Sequence, residues 1–125
     1  MKSIIMKPLI KETHFGSIII AGHQYDHDVL IRLDGQIKKR KKKLSKEIYG
    51  TSHKVSLAEA QYLFDEGSKE LIIGNGQQSC LFLSEEAQSF FIDKGCAVKV
   101  LATPEAITAW NNAKGQVIGM FHVTC

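Results

Sequence analysis

The five residues from Tyr49 to His53 place hydroxyl groups beside an imidazole, and these are the groups that nucleophilic catalysis uses. Ser52 could act as a nucleophile and His53 as a base, but adjacent residues rarely hydrogen-bond to one another in a catalytic arrangement. Each would need a partner from elsewhere in the chain, and His122 is a candidate for that partner. The alternative is that these side chains only hydrogen-bond to the backbone of a loop.

His122 lies in the last predicted strand, where side chains alternate between the two faces of a sheet. The alternation puts Thr124 on the same face as His122 and Cys125 on the opposite face. A regular strand would therefore not let His122 and Cys125 bind one ligand together.

A glycine-rich segment follows the apolar run 71–73, with Gly74 and Gly76 as its glycines. Ligands of open α/β sheets bind where parallel strands end, and glycines let backbone amides approach an anion. The motif is incomplete, because Ser79 stands where a dinucleotide fingerprint has its third glycine and no lysine follows as in a P-loop. A tight turn between a strand and a helix is the alternative interpretation.

Seven of the nine residues from 38 to 46 are lysine or arginine. The chain carries 16 basic and 13 acidic residues, so without this run 9 basic residues would face 13 acidic ones. Such a patch attracts anions of many kinds. No aromatic residue is interleaved before Tyr49, which disfavours specific nucleic-acid binding. Several of the lysines have a structural explanation, since lysine on an edge strand prevents aggregation.

Other potential metal ligands lie together near residue 25, namely His23, Asp26, His27 and Asp28. We interpret this group as a polar hairpin tip and predict neither a metal nor a cofactor. The three cysteines form no CxxC motif, which is typical of a reducing compartment with thiols packed as small apolar groups. The apolar run 4–6 is too short for a secretory signal, and no stretch is long enough to span a membrane. We expect a cytoplasmic protein without a membrane partner.

The first third of the chain predicts β-structure. Residues 15–21 contain three consecutive isoleucines, and Val29, Ile31 and Leu33 alternate with other positions. Asp34-Gly35 then predicts a hairpin turn into residues 36–41, where the basic run begins.

The remainder predicts alternating helices and strands. Ser56 and Glu59 form a capping box at the start of a first helix, which Gly67 ends. Strands are predicted at 71–73, 97–102 and 116–123, with helices from Ser84 to Gly95 and from Thr103 to Gly115. We therefore predict a single α/β domain over residues 1–125. It has a central mixed sheet, an N-terminal antiparallel hairpin and a C-terminal β-α-β-α-β unit, with the helices packed on the sheet.

Several short segments of the chain together resemble those of a known family. The chain is similar to the small single-domain proteins of the adipogenesis-associated domain family, first seen in a hypothetical protein from a methanogenic archaeon. A mitochondrial complex I assembly factor is similar in domain. The resemblance rests on the segments 15–17, 34–35, 49–53, 72–76 and 121–125. It implies an α/β fold with a mixed sheet and a regulatory or assembly role, and within the basic run it favours Arg40 over Lys41 to Lys43.

Two functions follow as hypotheses. The first is a binding or assembly module without catalysis, whose partner is a protein. The alternative is a site for an anionic small molecule, or an enzyme acting on one. Six residues are predicted to bind that ligand: Arg40, Ser52, His53, Gly74, Gly76 and His122.

Overall fold

The computed structural model describes residues 7–125, so the apolar run 4–6 lies outside the described part of the chain. It contains ten strands and four helices. In chain order these are β1 (Ile10–His14), β2 (Ser17–Ile20), β3 (His23–Tyr25), β4 (Val29–Ile31), β5 (Ile37–Lys39), α1 (Lys43–Tyr49), β6 (Lys54–Val55), α2 (Leu57–Leu63), β7 (Glu70–Asn75), β8 (Phe82–Leu83), α3 (Glu85–Asp93), β9 (Ala97–Leu101), α4 (Thr103–Asn112) and β10 (Val117–His122).

The largest sheet has five strands in the order β5-β4-β10-β7-β9. The β10 strand is parallel to β7 and antiparallel to β4, so the sheet is mixed, as predicted. The C-terminal unit is also confirmed, because α3 connects β7 to the parallel strand β9 and α4 connects β9 to β10. The β9 strand forms one edge of this sheet.

The hairpin predicted at Asp34-Gly35 joins β4 to β5. Gly35 has a φ of +87°, a conformation that glycine adopts without steric cost. The hairpin places Lys39 opposite Val29, and Arg40 comes directly after it.

Both faces of the main sheet are covered, which explains why the run 71–73 is apolar throughout. Leu71 and Ile73 pack in one buried cluster with Phe91 of α3, whereas Ile72 packs in a second cluster with Trp110 of α4. Side chains on the two faces of one strand therefore belong to two cores. Among the described residues, no helix is long and apolar enough to cross a membrane.

The N-terminal part contains more strands than the sequence pattern predicts. The strands β1, β2 and β3 form a separate three-stranded antiparallel sheet. Ile18 and Ile20 of β2 are fully buried in the cluster that contains Trp110. Only β2 has an apolar run, and the three-residue strand β3 is too short and polar for a period-two signal.

The basic run is not a continuous strand and loop. It begins on β5 and continues into α1, a seven-residue helix that the sequence pattern did not indicate. The lysines of the run are exposed to solvent, whereas Arg40 is only 3% exposed. Gly50 ends α1 in the left-handed conformation, and the chain turns there toward Ser52 and His53.

Candidate functional site

A buried ionic network lies where β4, β5 and α2 meet. The guanidinium of Arg40 donates from Nη1 to Asp28 Oδ2 at 2.9 Å and from Nε to Glu59 Oε2 at 2.6 Å. Its Nη2 donates to the Ser52 carbonyl at 2.6 Å. All three charged side chains are almost fully buried, and a buried charge is stable only when it is paired in this way.

The charges of this network shift its pKa values. Burial by itself would raise the pKa of Asp28, but hydrogen bonds from His122, the Val123 amide and Arg40 lower it to about 2. Burial would likewise lower the pKa of Arg40, and the hydrogen bonds and negative charges of Glu59 and Asp28 raise it instead. The Asp28 carboxylate and the Arg40 guanidinium are therefore charged at neutral pH.

Asp28 corrects one interpretation of the sequence. The sequence predicts a polar hairpin tip for it together with His23, Asp26 and His27, yet Asp28 is only 4% exposed. Asp28 directly precedes the buried strand β4, and its Oδ1 accepts the Val123 amide at 2.9 Å. The residues just before it are exposed or half-buried. Asp28 and its neighbours therefore differ in burial, which their adjacent positions in the sequence do not indicate.

Glu59 also has a role beyond the predicted capping box. Ser56 accepts the Glu59 amide at 3.1 Å, as a helix cap should. The Glu59 carboxylate does not return to the Ser56 amide, which instead donates to Ser45 Oγ at 2.9 Å. The Glu59 side chain is bound by Arg40 and by the Ser45 hydroxyl, because those donors satisfy a buried carboxylate.

Three potential ligand side chains meet beside this network. His122 Nδ1 lies 2.8 Å from Asp28 Oδ2. The centroids of the His53 and His122 rings are 5.4 Å apart, and the rings meet edge to face. Cys125 Sγ lies 3.4 Å from His53 Nε2. His122 is buried, whereas His53 and Cys125 are half-buried at the surface. We call His53, His122 and Cys125 the His-Cys cluster.

The predicted separation of His122 and Cys125 is wrong. Strand alternation would put them on opposite faces, but β10 ends at His122 and the chain beyond it is not extended strand. Their ligand atoms lie within 4.8 Å of one another and of His53. The period-two argument holds only while the strand lasts.

Local backbone contacts hold His53 in place. Its amide donates to Thr51 Oγ1 at 3.1 Å, and its carbonyl accepts the Phe82 amide at 2.8 Å. The second contact belongs to the short parallel pair β6–β8. Arg40 fixes the Ser52 carbonyl next to it, so the buried network and the His-Cys cluster form one connected unit.

Most amides of the glycine-rich loop already have partners within the chain. Gly76 donates to Thr103 Oγ1 at 2.9 Å, Gln77 to the Thr124 carbonyl at 2.7 Å, and Cys80 to the Cys125 carbonyl at 3.0 Å. An anion at this loop would have to displace those carbonyls. A role of the loop in anion binding stays a prediction.

The six predicted ligand residues therefore fall into three positions. His53, His122 and Gly76 meet at the His-Cys cluster, since a Cβ on Gly76 would lie 2.9 Å from His122 Cδ2. Ser52 and Arg40 lie behind it, where the guanidinium is already bound by two carboxylates. Gly74 faces Thr103 and Phe121 and has no room for a side chain.

A second surface feature was not indicated by any sequence motif. Two adjoining clefts of about 430 and 240 Å³ lie between α3 and the edge strand β9. They share Leu83, Gln88 and Val98 as lining residues. Large apolar side chains at their margins are exposed: Phe82 by 54%, Ile92 by 75% and Val100 by 41%. We call this surface the α3–β9 groove.

Asn75 provides the groove with an unused acceptor. It is the last residue of β7 and lines the larger cleft with Val100. Its Oδ1 is buried and has no hydrogen-bond partner, which within residues 7–125 is true of no other buried side-chain oxygen or nitrogen. Buried acceptors are normally paired, and a rotation of the Asn75 amide toward the cleft would let a donor from a bound molecule satisfy this one.

Comparison with known proteins places the chain among relatives without a named activity. The family described as "Protein of unknown function (DUF498/DUF598)" matches residues 10–122. A conserved hypothetical protein from Pyrococcus horikoshii OT3, PH1505, is 33% identical with a TM-score of 0.87, over 93% of this chain and 98% of that one. MT938 is 30% identical with a TM-score of 0.81, over 95% and 100% of the two chains.

More distant structures share the fold. A Mth938-like domain from Bordetella pertussis is 16% identical with a TM-score of 0.62, over 93% of this chain and 85% of that one. The similarity to MT938 and to a Mth938-like domain confirms the family resemblance predicted from the motifs.

Proposed function

The chain belongs to the DUF498/DUF598 family of proteins of unknown function, and we propose that it is a binding module for a partner protein. In this proposal an extended segment of the partner lies in the α3–β9 groove and pairs with the edge strand β9. The observation that carries the proposal is an edge strand beside an apolar groove lined by Asn75, whose buried acceptor is unpaired.

The backbone of β9 supports strand pairing. Its five residues pair with β7 on one side, so the other row of backbone groups faces away from the sheet. Proteins usually protect such edges, because an unpaired edge is a template for another strand. Lys99 is the one charged residue of β9, and its ammonium group lies 3.8 Å from Glu70 of β7.

The side chains around β9 favour an apolar extended segment as the ligand. Val98 and Val100 point to the same face of the strand and line the larger cleft. Phe82 and Ile92 extend the apolar surface beyond them, and exposed apolar patches of this kind mark interaction sites. Backbone pairing would provide affinity, and pockets for alternate side chains would provide specificity.

A photo-crosslinking experiment tests the proposal. A benzophenone amino acid replaces Phe82, and crosslinks are formed in an extract of the cells that make the protein. We expect a discrete crosslinked partner whose linked residues lie in one extended segment. The matched control carries the same amino acid at Phe15, which is 68% exposed but lies in the turn between β1 and β2.

Binding of the identified segment is then measured with purified variants. Val100→Asp should weaken binding at least about tenfold, because a charge would enter the apolar groove. Ile48→Asp should bind normally, since Ile48 is 58% exposed on α1 and away from the groove. Equal crosslinking from Phe15 and Phe82, or crosslinks only to a second copy of this chain, would contradict the proposal.

A further inference from the structure

We propose that the His-Cys cluster is a binding site for a divalent transition-metal ion of the zinc class, with two imidazole ligands and one thiolate ligand. This inference does not rest on the proposed partner binding, because it uses different side chains. The three potential ligand atoms lie within 4.8 Å of one another. One of them comes from the loop after α1, one from the end of β10 and one from the residues that follow it.

The separations suit a four-coordinate ion. Bonds of about 2.0–2.3 Å from zinc to nitrogen and sulfur place neighbouring ligand atoms of a tetrahedron about 3.3–3.6 Å apart. Cys125 Sγ and His53 Nε2 are already 3.4 Å apart. Rotation of the His53 and Cys125 side chains would bring the other ligand atoms from within 4.8 Å to these separations. Both side chains are half-buried, so the core does not enclose them.

The outer partners of the cluster are those of a metal-binding histidine. Asp28 Oδ2 binds His122 Nδ1 at 2.8 Å, so Nε2 is the ring nitrogen left for an ion, with only the Thr124 hydroxyl beside it at 3.3 Å. A ligating histidine generally binds a carboxylate or carbonyl through its other nitrogen, and that bond fixes the ring orientation. Asp28 is itself held by Arg40 and by the Val123 amide. The buried network thus gives His122 a fixed orientation before any ion arrives.

The ligand set favours a borderline or soft cation over a hard one. Imidazole and thiolate bind zinc and its neighbours, whereas magnesium and calcium prefer oxygen ligands. Three protein ligands leave a fourth position open. Thr124 Oγ1 lies 3.3 Å from His122 Nε2, so a hydroxyl is close to that position. His53 and Cys125 reach the surface, which gives an ion a path into the site.

Titration of the tag-free, reduced protein with Zn²⁺ and Co²⁺ tests the inference. We expect one ion per chain, and with Co²⁺ a visible spectrum of tetrahedral type with a sulfur charge-transfer band. Cys125→Ser should abolish that band. His53→Ala should weaken Zn²⁺ binding by at least the roughly tenfold to hundredfold that loss of an outer partner costs.

Matched variants separate this site from the other thiols and imidazoles of the chain. Cys96→Ser, which changes a thiol that contacts Ser68 and not the cluster, should keep the sulfur band, and the exposed His23→Ala should keep the Zn²⁺ affinity. Circular dichroism of each variant without metal checks that it is folded. A stoichiometry below one ion per chain, or a sulfur band that persists in folded Cys125→Ser, would overturn the inference.

Discussion

At the scale of single residues, Arg40 differs from the lysines around it because its guanidinium has donors in a fixed planar arrangement. It binds Asp28, Glu59 and the Ser52 carbonyl at the same time. A lysine could not bind the two carboxylates in the same geometry. The sequence indicates Arg40 only through the family resemblance. Its partners could not be predicted, because Asp28 and Glu59 lie in separate elements that only the tertiary fold brings together.

Replacing Arg40 tests the role of the buried network in stability. Arg40→Ala leaves two buried carboxylates without their cation, so it should lower the free energy of unfolding by about 3–5 kcal/mol. Lys39→Ala changes the neighbouring exposed residue and should alter it by less than about 0.5 kcal/mol. Urea denaturation followed by circular dichroism measures both. An equal change in the free energy of unfolding for the two substitutions would show that the buried ion pairs of Arg40 do not stabilise the fold.

The low pKa of Asp28 predicts a pH dependence of stability. Its folded-state pKa is about 2, below the ordinary value of 3.8. The folded state therefore gains stability above pH 4, about 2 kcal/mol from this carboxylate, and loses it as the pH falls toward 2. Asp28→Asn lacks this contribution, so the stability difference between the two proteins should shrink over that range. Urea denaturation with EDTA present measures it, and a difference that does not change with pH would contradict the assignment.

At the scale of elements, the pattern of apolar residues predicts the C-terminal half well. The strands β7, β9 and β10 have apolar runs or alternation, Ser84 caps α3, and Pro104 lies in the first turn of α4, which has no side-chain cap. The helix α1 was missed because most of its residues are polar and only Ser45 is fully buried in it. The cluster of His122 and Cys125 was missed because a strand end breaks the alternation from which faces are predicted.

The loop that follows β7 depends on Gly76. It has a φ of +109°, and a Cβ at this position would collide with the Cys125 carbonyl group. Gly76→Ala should therefore destabilise the protein more than Gly115→Ala, which has a φ of +93° but open space around it. The conformational strain alone costs about 1–2 kcal/mol at either position. Thermal unfolding of the two variants checks the order, and equal melting temperatures would show that the loop adapts.

At the scale of the whole molecule, the exposed basic charge lies on other residues than those that line the α3–β9 groove. The net charge of +3 comes from the basic run 38–46, whose lysines are exposed, whereas the α3–β9 groove is lined by apolar and uncharged polar residues. The groove could not be predicted from the sequence, because α3 and β9 form it jointly and each alone has an ordinary pattern. The basic run stands out by its composition, yet its one buried basic residue, Arg40, is the one that holds the ionic network together.

Removing two of these lysines should change solubility and little else. Lys41→Ala with Lys43→Ala lowers the net charge from +3 to +1, and proteins near zero net charge associate more readily. We expect a lower solubility limit in precipitant titration, with partner binding and metal binding unchanged. A loss of either binding activity in the soluble double variant would place function in the basic run.

Amide hydrogen exchange of residues 97–101 tests the central claim of partner binding most directly. It is measured on the protein alone and with the crosslinked partner segment added in excess. Pairing on the free edge of β9 predicts that its outward-facing amides exchange more slowly in the complex, while amides of β5 at the opposite edge exchange as before. Unchanged exchange in β9 at saturating segment, or protection confined to β5, would contradict the account.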